Sequence, residues 1–145
     1  MWVVFEGLDK SGKGTLELEF LKATNFKHVV VDRGPVGYMT FDKVFGRETK
    51  QGNHKFIQQA RKCIRTKDFM IVYCVADKNT AMERIKENNE TCPYDYEMAQ
   101  EIYDDNIRKF YRKEKVIKVN TSEMTVQECI DKIVGKLEEL QKKGE

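Results

Sequence analysis

The amino-acid sequence predicts an α/β domain on a mainly parallel sheet, with helices on both faces. Three observations carry that expectation: four short apolar runs, helical patterns in the intervals between them, and a glycine cluster directly after the first run. The runs are continuous rather than alternating, as strands buried on both faces of a parallel sheet must be. Strands that alternate with helices then select the α/β class. Parallel neighbours need a crossover, and right-handed crossovers lay helices against the sheet.

Trp2 to Glu6 is the first run, and Leu16, Leu18, Phe20 and Leu21 continue a helical pattern to about Thr24. His28 to Val31 is the second, ended by Asp32-Arg33-Gly34-Pro35. Phe69 to Ala76 is the third and Lys115 to Val119 the fourth. Helices are expected from roughly His54 to Thr66, Asn79 to Asn88 and Tyr94 to Tyr111. The last of these collects Tyr96, Ala99, Tyr103, Asn106, Ile107 and Phe110 on one side. A closing helix carries Val126, Cys129, Ile130, Ile133, Val134, Leu137 and Leu140 at helical spacing. Thr125 and Glu128 form a capping box at its start.

Residues 1–145 suit a single domain, and 40% hydrophobic content is enough for one core. Most of the 34% charged residues read as solvated exterior. Twenty-six basic residues against 24 acidic leave a net charge of +2. That near-balance weighs against a dedicated nucleic-acid binder, which carries a basic excess or stripe. No apolar run approaches the roughly 18–20 residues of a bilayer span. The N-terminus lacks the basic start and cleavage region of a secretory signal, so a cytoplasmic location is expected. Cys63, Cys74, Cys92 and Cys129 show no C-x-x-C pair and no metal-site spacing. Cys74 and Cys129 fall on apolar faces and read as buried thiols.

The most specific signal is Gly7-Leu8-Asp9-Lys10-Ser11-Gly12-Lys13-Gly14-Thr15, placed between a strand and a helix. Its G-x-x-x-x-G-K spacing is that of a P-loop. Gly7 and Gly12 let the backbone curl so that successive N–H groups face phosphate oxygens. The following helix adds the positive end of its dipole, and Lys13 supplies a cation for the β and γ phosphates. Gly14 stands where the strict motif has a Mg²⁺-ligating hydroxyl, and Thr15 brings one a residue later. Lys10 lies on the loop itself and is a candidate further cation.

Asp32 and Arg33 follow the second run, at the strand end where open parallel sheets bind ligands. Asp32 is a candidate to hold Mg²⁺, directly or through water, or to orient an acceptor. Arg33 is a candidate phosphoryl clamp, since its planar fork matches phosphate oxygens. Phosphoryl transfer needs two substrates in line and neutralised charge on the moving group, which Lys13, Lys10, Arg33 and Mg²⁺ would supply.

Phe5 to Thr15 resembles the opening of thymidylate kinases, which read F-E-G-x-D-[RK]-x-G-K-[ST]-T. Asp32-Arg33 is similar to that family's D-R-Y motif, with Gly34-Pro35 in place of the tyrosine. Asp68 to Asp77 with Ala81-Met82-Glu83-Arg84-Ile85 resembles its next strand and A-x-x-R-I helix, and Val116 to Asn120 its closing strand. The resemblance implies a P-loop nucleotide-kinase fold with strand order 2-1-3-4, ATP as donor, Mg²⁺ as cofactor and a deoxynucleoside monophosphate as acceptor. It places Gly7, Asp9, Ser11, Gly12, Lys13, Gly14, Thr15 and Arg84 on ATP, with Arg84 near the adenine. Asp32 and Thr15 would serve the metal, and Lys13, Lys10, Arg33 and Asp32 catalysis. Asp9 would contact the acceptor sugar, Arg33 would bridge the two phosphates, and residues 87 to 93 would form a lid. Members of the family often dimerise through their helices, which makes a homodimer one expectation.

The chain lacks the family's second strand and its F-x-A-x-R stretch, which build much of the acceptor pocket. The segment Tyr38 to Arg65 is the source left for it. Tyr38, Phe41 and Phe45 suit stacking on a base, and Arg47, Arg61 and Arg65 suit phosphate. The same aromatics are spaced i, i+3 and i+7, which is also a core-facing helix pattern. A dTMP-like acceptor is favoured. A kinase with a non-nucleotide or polynucleotide acceptor, and a non-catalytic nucleotide-binding module, stay open.

Overall fold

The computed structural model describes residues 1–47, 58, 61–62, 65 and 68–143. The order is β1 (Trp2–Glu6), α1 (Lys13–Ala23), β2 (Val29–Asp32), α2 (Pro35–Val44), β3 (Phe69–Val75), α3 (Lys78–Glu87), α4 (Tyr96–Phe110), a 3₁₀ turn (Lys113–Lys115), β4 (Val116–Asn120) and α5 (Val126–Lys143). Apart from the four isolated positions named, the helix expected over 54–66 lies outside the described residues, as does Cys63.

The four strands form one parallel sheet in the order β2-β1-β3-β4, as expected. Alternate side chains of β1 and β3 point to opposite faces, which makes two cores from one sheet. On one face Val3, Phe5, Met70 and Val72 meet Leu16 and Phe20 of α1 and Ile133 and Leu137 of α5. On the other, Val4, Ile71 and Tyr73 meet Val36 and Phe41 of α2 and Ala99, Tyr103 and Ile107 of α4. β1 and β3 are interior and buried along most of their length, whereas β2 and β4 are edges and only partly buried. Continuous apolar sequence therefore marks both kinds of strand here.

Two apolar side chains leave their expected core stripes: Leu18 is 49% exposed and Val126 43%. The α5 capping box is present, with Thr125 N–H donating to Glu128 Oε1 and Glu128 N–H to Thr125 Oγ1. No helix among the described residues is long and apolar enough to cross a membrane.

Glu6, at the end of β1, is fully buried. Its carboxylate accepts from the backbone N–H groups of Gly34, Val36 and Gly37 at 3.0–3.1 Å. Pro35 has no N–H, so Glu6 satisfies the donors that open α2 and sits at the positive end of that helix. The hydroxyls of Tyr103 and Tyr111 donate to its two oxygens, each at 2.8 Å. Tyr103 Oη in turn accepts from Gly7 N–H at 2.8 Å. One carboxylate thus ties β1, α2, α4 and the start of the glycine loop together. Burial pushes its pKa up from the ordinary carboxylate value, and the hydrogen bonds from Tyr103, Tyr111, Gly34 and Gly37 pull it back.

Glu6→Gln keeps the shape but turns an NH₂ group toward donors. It should lower unfolding free energy by about 3 kcal/mol, against about 1–2 kcal/mol for Tyr111→Phe. Urea denaturation of the two variants checks that order; equal, small losses would show that the donors do not depend on a carboxylate.

Candidate active site

The ends of all four strands converge on the loop after β1. Gly7 and Gly12 take φ of 152° and 92°, in the region that penalises a side chain. Space forbids one as well: a Cβ on Gly7 would lie 2.4 Å from the Cys74 carbonyl oxygen, and one on Gly12 2.9 Å from Thr121 Cγ2. Lys10 and Arg33 also have positive φ, 63° and 62°. Non-glycine residues held there carry strain of about 1 kcal/mol or more, which the surrounding contacts must offset. Lys13, Gly14 and Thr15 open α1, where first-turn N–H groups have no intrahelical acceptor and favour an anion.

The loop is braced from behind by the turn after β4. Thr121 Oγ1 donates to the Ser11 carbonyl at 2.7 Å. Arg84 of α3 donates to the Lys10 carbonyl at 2.8 Å, to Thr121 Oγ1 at 3.0 Å and to the Thr121 carbonyl at 3.2 Å. Arg84 is thus committed to loop and turn while also lining the cavity in front of them. That cavity holds about 500 Å³, within the usual range for small-ligand sites, and runs from Lys10–Thr15 past Arg84 to Thr121, Met124 and Val126. Exposed Val126 is one of its walls.

Three cations around the loop each face a carboxylate. Lys13 Nζ lies 3.5 Å from Asp32 Oδ1, Arg33 donates to Asp9 Oδ1 at 3.1 Å, and Lys10 reaches Glu90 at 3.3 Å. Glu90 lies in the segment after α3, so Lys10 links that segment to the loop. Buried side-chain atoms without a partner cluster here: Ser11 Oγ, Glu17 Oε1 and Arg33 Nε, three of the four such atoms among the described residues. Native interiors leave few such atoms, and here they come from the glycine loop, α1 and the turn after β2.

Glu17 is one helical turn beyond Lys13 and beside Asp32. Burial first, then the hydrogen bond to Asp32 and its charge, push the Glu17 carboxyl up to about 7. Asp32 is held below its ordinary value, chiefly by that same hydrogen bond. Glu17 is the less exposed of the two, so its charged form is the costlier one.

On the other side of Arg33 lies an aromatic cluster. The Arg33 guanidinium stacks 4.5 Å over the Phe41 ring, and Phe41, Phe45 and Tyr94 pack with centroids 5.8–6.2 Å apart. Tyr94 Oη lies 3.5 Å from Asp9 Oδ2. Phe41 is buried at 5% exposure while Tyr38 is 52% exposed. Arg47 joins this side, over the Phe45 ring and beside Asp42. Arg61 and Arg65 do not. They stand with Phe69 at the opposite end of the sheet, because α4 carries Phe110, the ring under Arg61, to that end.

Sequence reasoning missed Glu6, Glu17, Tyr94 and Thr121. For Glu17 a signal existed in its spacing of four from Lys13, which puts both on one helix face. Glu6 stands in the sequence only as a letter of the F-E-G motif, and Tyr94 and Thr121 act through contacts no local pattern encodes.

A parallel sheet in the order β2-β1-β3-β4, a glycine loop leading into α1, and an acid–arginine pair after β2 together define the fold of the P-loop nucleotide kinases. Solved structures agree on that fold. The YorR protein of Bacillus subtilis, in complex with phosphorylated GDP, superposes with a TM-score of 0.75 at 14% identity, over 95% of this chain and 96% of its own. Thymidylate kinase from Candida albicans gives 0.60 at 11% identity, over 97% and 92%. Deoxyadenosine kinase from M. mycoides with bound dATP gives 0.56 at 16%, over 95% and 100%. No protein-family model and no curated protein sequence matches the chain.

The raised Glu17 carboxyl has a consequence for stability. The folded state binds its proton more tightly than the unfolded chain, whose value lies near 4.5. That contribution is full below pH 4.5 and is lost as the pH rises through about 7. The Tm of the natural protein relative to Glu17→Gln should therefore fall across that window, as thermal melts at pH 4.5, 6 and 8 would show. A constant difference would mean that Glu17 titrates normally.

Proposed function

We propose that the protein is a nucleoside monophosphate kinase that transfers the γ-phosphate of ATP to a (deoxy)nucleoside monophosphate, with a dTMP-like acceptor favoured. One observation carries this reading. Arg33 joins the glycine loop to the aromatic cluster, donating to Asp9 of the loop on one side and stacking over Phe41 on the other, and its Nε is buried without a partner. That is the position of a group shared by a donor phosphate and an aromatic-bound acceptor. The structures with phosphorylated GDP and with dATP support a nucleotide as ligand of this fold.

In this reading the loop N–H groups and Lys13 hold the β and γ phosphates of ATP. The cavity between Arg84 and Met124 takes the base. Lys10 exchanges Glu90 for the moving phosphoryl group, and Arg33 exchanges Asp9 for the acceptor phosphate. Asp9, released, meets the acceptor sugar. Phe41 and Tyr94 open to stack on the acceptor base, and Tyr38 stands at the exposed rim. Mg²⁺ fits the residues present, because Asp32 offers carboxylate oxygens beside the loop and Thr15 a hydroxyl at the cavity. When bound, it would neutralise phosphate charge. The cations are built into the fold before substrate arrives, so little reorganisation accompanies transfer.

ADP formation from ATP and Mg²⁺ should rise with one nucleoside monophosphate of a complete ribo- and deoxyribonucleotide panel. Lys13→Ala should lower that rate by about 100-fold or more, on the scale of losing one electrostatic stabiliser. If no monophosphate stimulates turnover while ATP still binds, the acceptor assignment fails. Phe41→Ala should raise the acceptor KM by about tenfold, the scale of one base-stacking contact, and leave the KM for ATP unchanged. A change in both would place Phe41 in the scaffold rather than in the acceptor site.

A further inference from the structure

At the end of the sheet opposite the glycine loop lies a second cavity, of about 560 Å³. The strands are parallel, so the loop lies at their carboxyl ends. Phe69, which opens β3, and Lys115, which precedes β4, lie at their amino ends. The seven residues of β3 separate the two places by about 20 Å. This cavity belongs to neither the nucleotide site nor the aromatic cluster.

Its walls are basic. Arg61 and Arg65 line it, Lys109 comes from the last turn of α4, Arg112 precedes the 3₁₀ turn and Lys115 ends it. Asp68 is the one acid in the lining. Five cations and one carboxylate give a formal +4 around one cavity, in a chain whose net charge is +2. None of the five basic side chains forms an ion pair with a described acid. Lys109 has a structural reason to be there, since a cation at a helix C-terminus offsets the dipole. Arg61, Arg65, Arg112 and Lys115 have none of that kind.

Clustered like charges repel one another unless an anion lies among them, and arginine forks suit phosphate oxygens. Two aromatic rings form the floor, each with a cation already over it: Arg61 lies 4.7 Å from the Phe110 centroid and Lys115 5.5 Å from that of Phe69. We propose that this cavity is a second anion site, which binds a multiply phosphorylated small molecule independently of the glycine loop. Its size matches a nucleotide or a short polyphosphate.

Calorimetric titration of the full chain with inorganic tripolyphosphate tests the proposal. Two equivalents should bind. Arg65→Ala/Arg112→Ala should weaken one of them by about 100-fold, roughly tenfold per lost charge-assisted contact. Both residues are exposed, so the fold should persist, and an unchanged Tm checks that. Lys13→Ala should weaken the other equivalent and leave this one intact. A single equivalent, sensitive only to Lys13→Ala, overturns the second site. So does a second equivalent that the double variant leaves unchanged. A single-stranded 12-nucleotide DNA that binds through Arg65 and Arg112 where tripolyphosphate does not would make the surface a polynucleotide site instead. None of these readouts needs turnover, so they stand apart from the kinase assay.

Discussion

A carboxylate without exposed surface costs several kcal/mol to desolvate and persists only where donors surround it. Glu6 is such a group, and much of the site depends on how its donors are arranged. Three are the first backbone N–H groups of α2, whose capping residue, Gly34, has no side chain to offer. Two are phenols from the far half of the chain, one of which also holds the Gly7 N–H. The turn with Asp32 and Arg33 is thereby fixed against the glycine loop, although Gly34 lies 28 positions after Glu6 in the chain.

The same logic of matched charge governs the site itself. Lys13, Lys10 and Arg33 would repel one another in a bare cavity, and each instead faces an acid: Asp32, Glu90 or Asp9. All three acids are at least half exposed, so each pair is held only weakly. The strain at Lys10 and Arg33 is sustained by bonds at either side, the Lys10 carbonyl to Arg84 and the Arg33 N–H to the Phe5 carbonyl. Stability is thus placed behind the loop, and exchangeable contacts in front of it.

Tyr111 connects the two ends of the molecule. Its hydroxyl donates to Glu6, while its ring belongs to the wall of the basic cavity at the amino ends of the strands. The cavity and the turn bearing Arg33 are therefore two contacts apart, through a side chain with 5% exposure.

By itself the sequence determined what depends on neighbours along the chain. Strand and helix order, the glycine loop between β1 and α1, and the α5 capping box follow from apolar period, from φ-permissive glycines and from a four-residue pattern. The resemblance carried by Phe5 to Thr15 supplied the strand order. Tertiary structure alone decided which parts converge. Tyr94, far along the chain from Phe41, completes its aromatic cluster, and Thr121 braces a loop set by residues more than a hundred positions earlier. Arg61 and Arg65 share the charge and type of Arg33, yet packing carries them to the other end of the sheet. Local sequence specifies backbone conformation and charge, but the place where a charge acts is set by long-range packing, which no short pattern encodes.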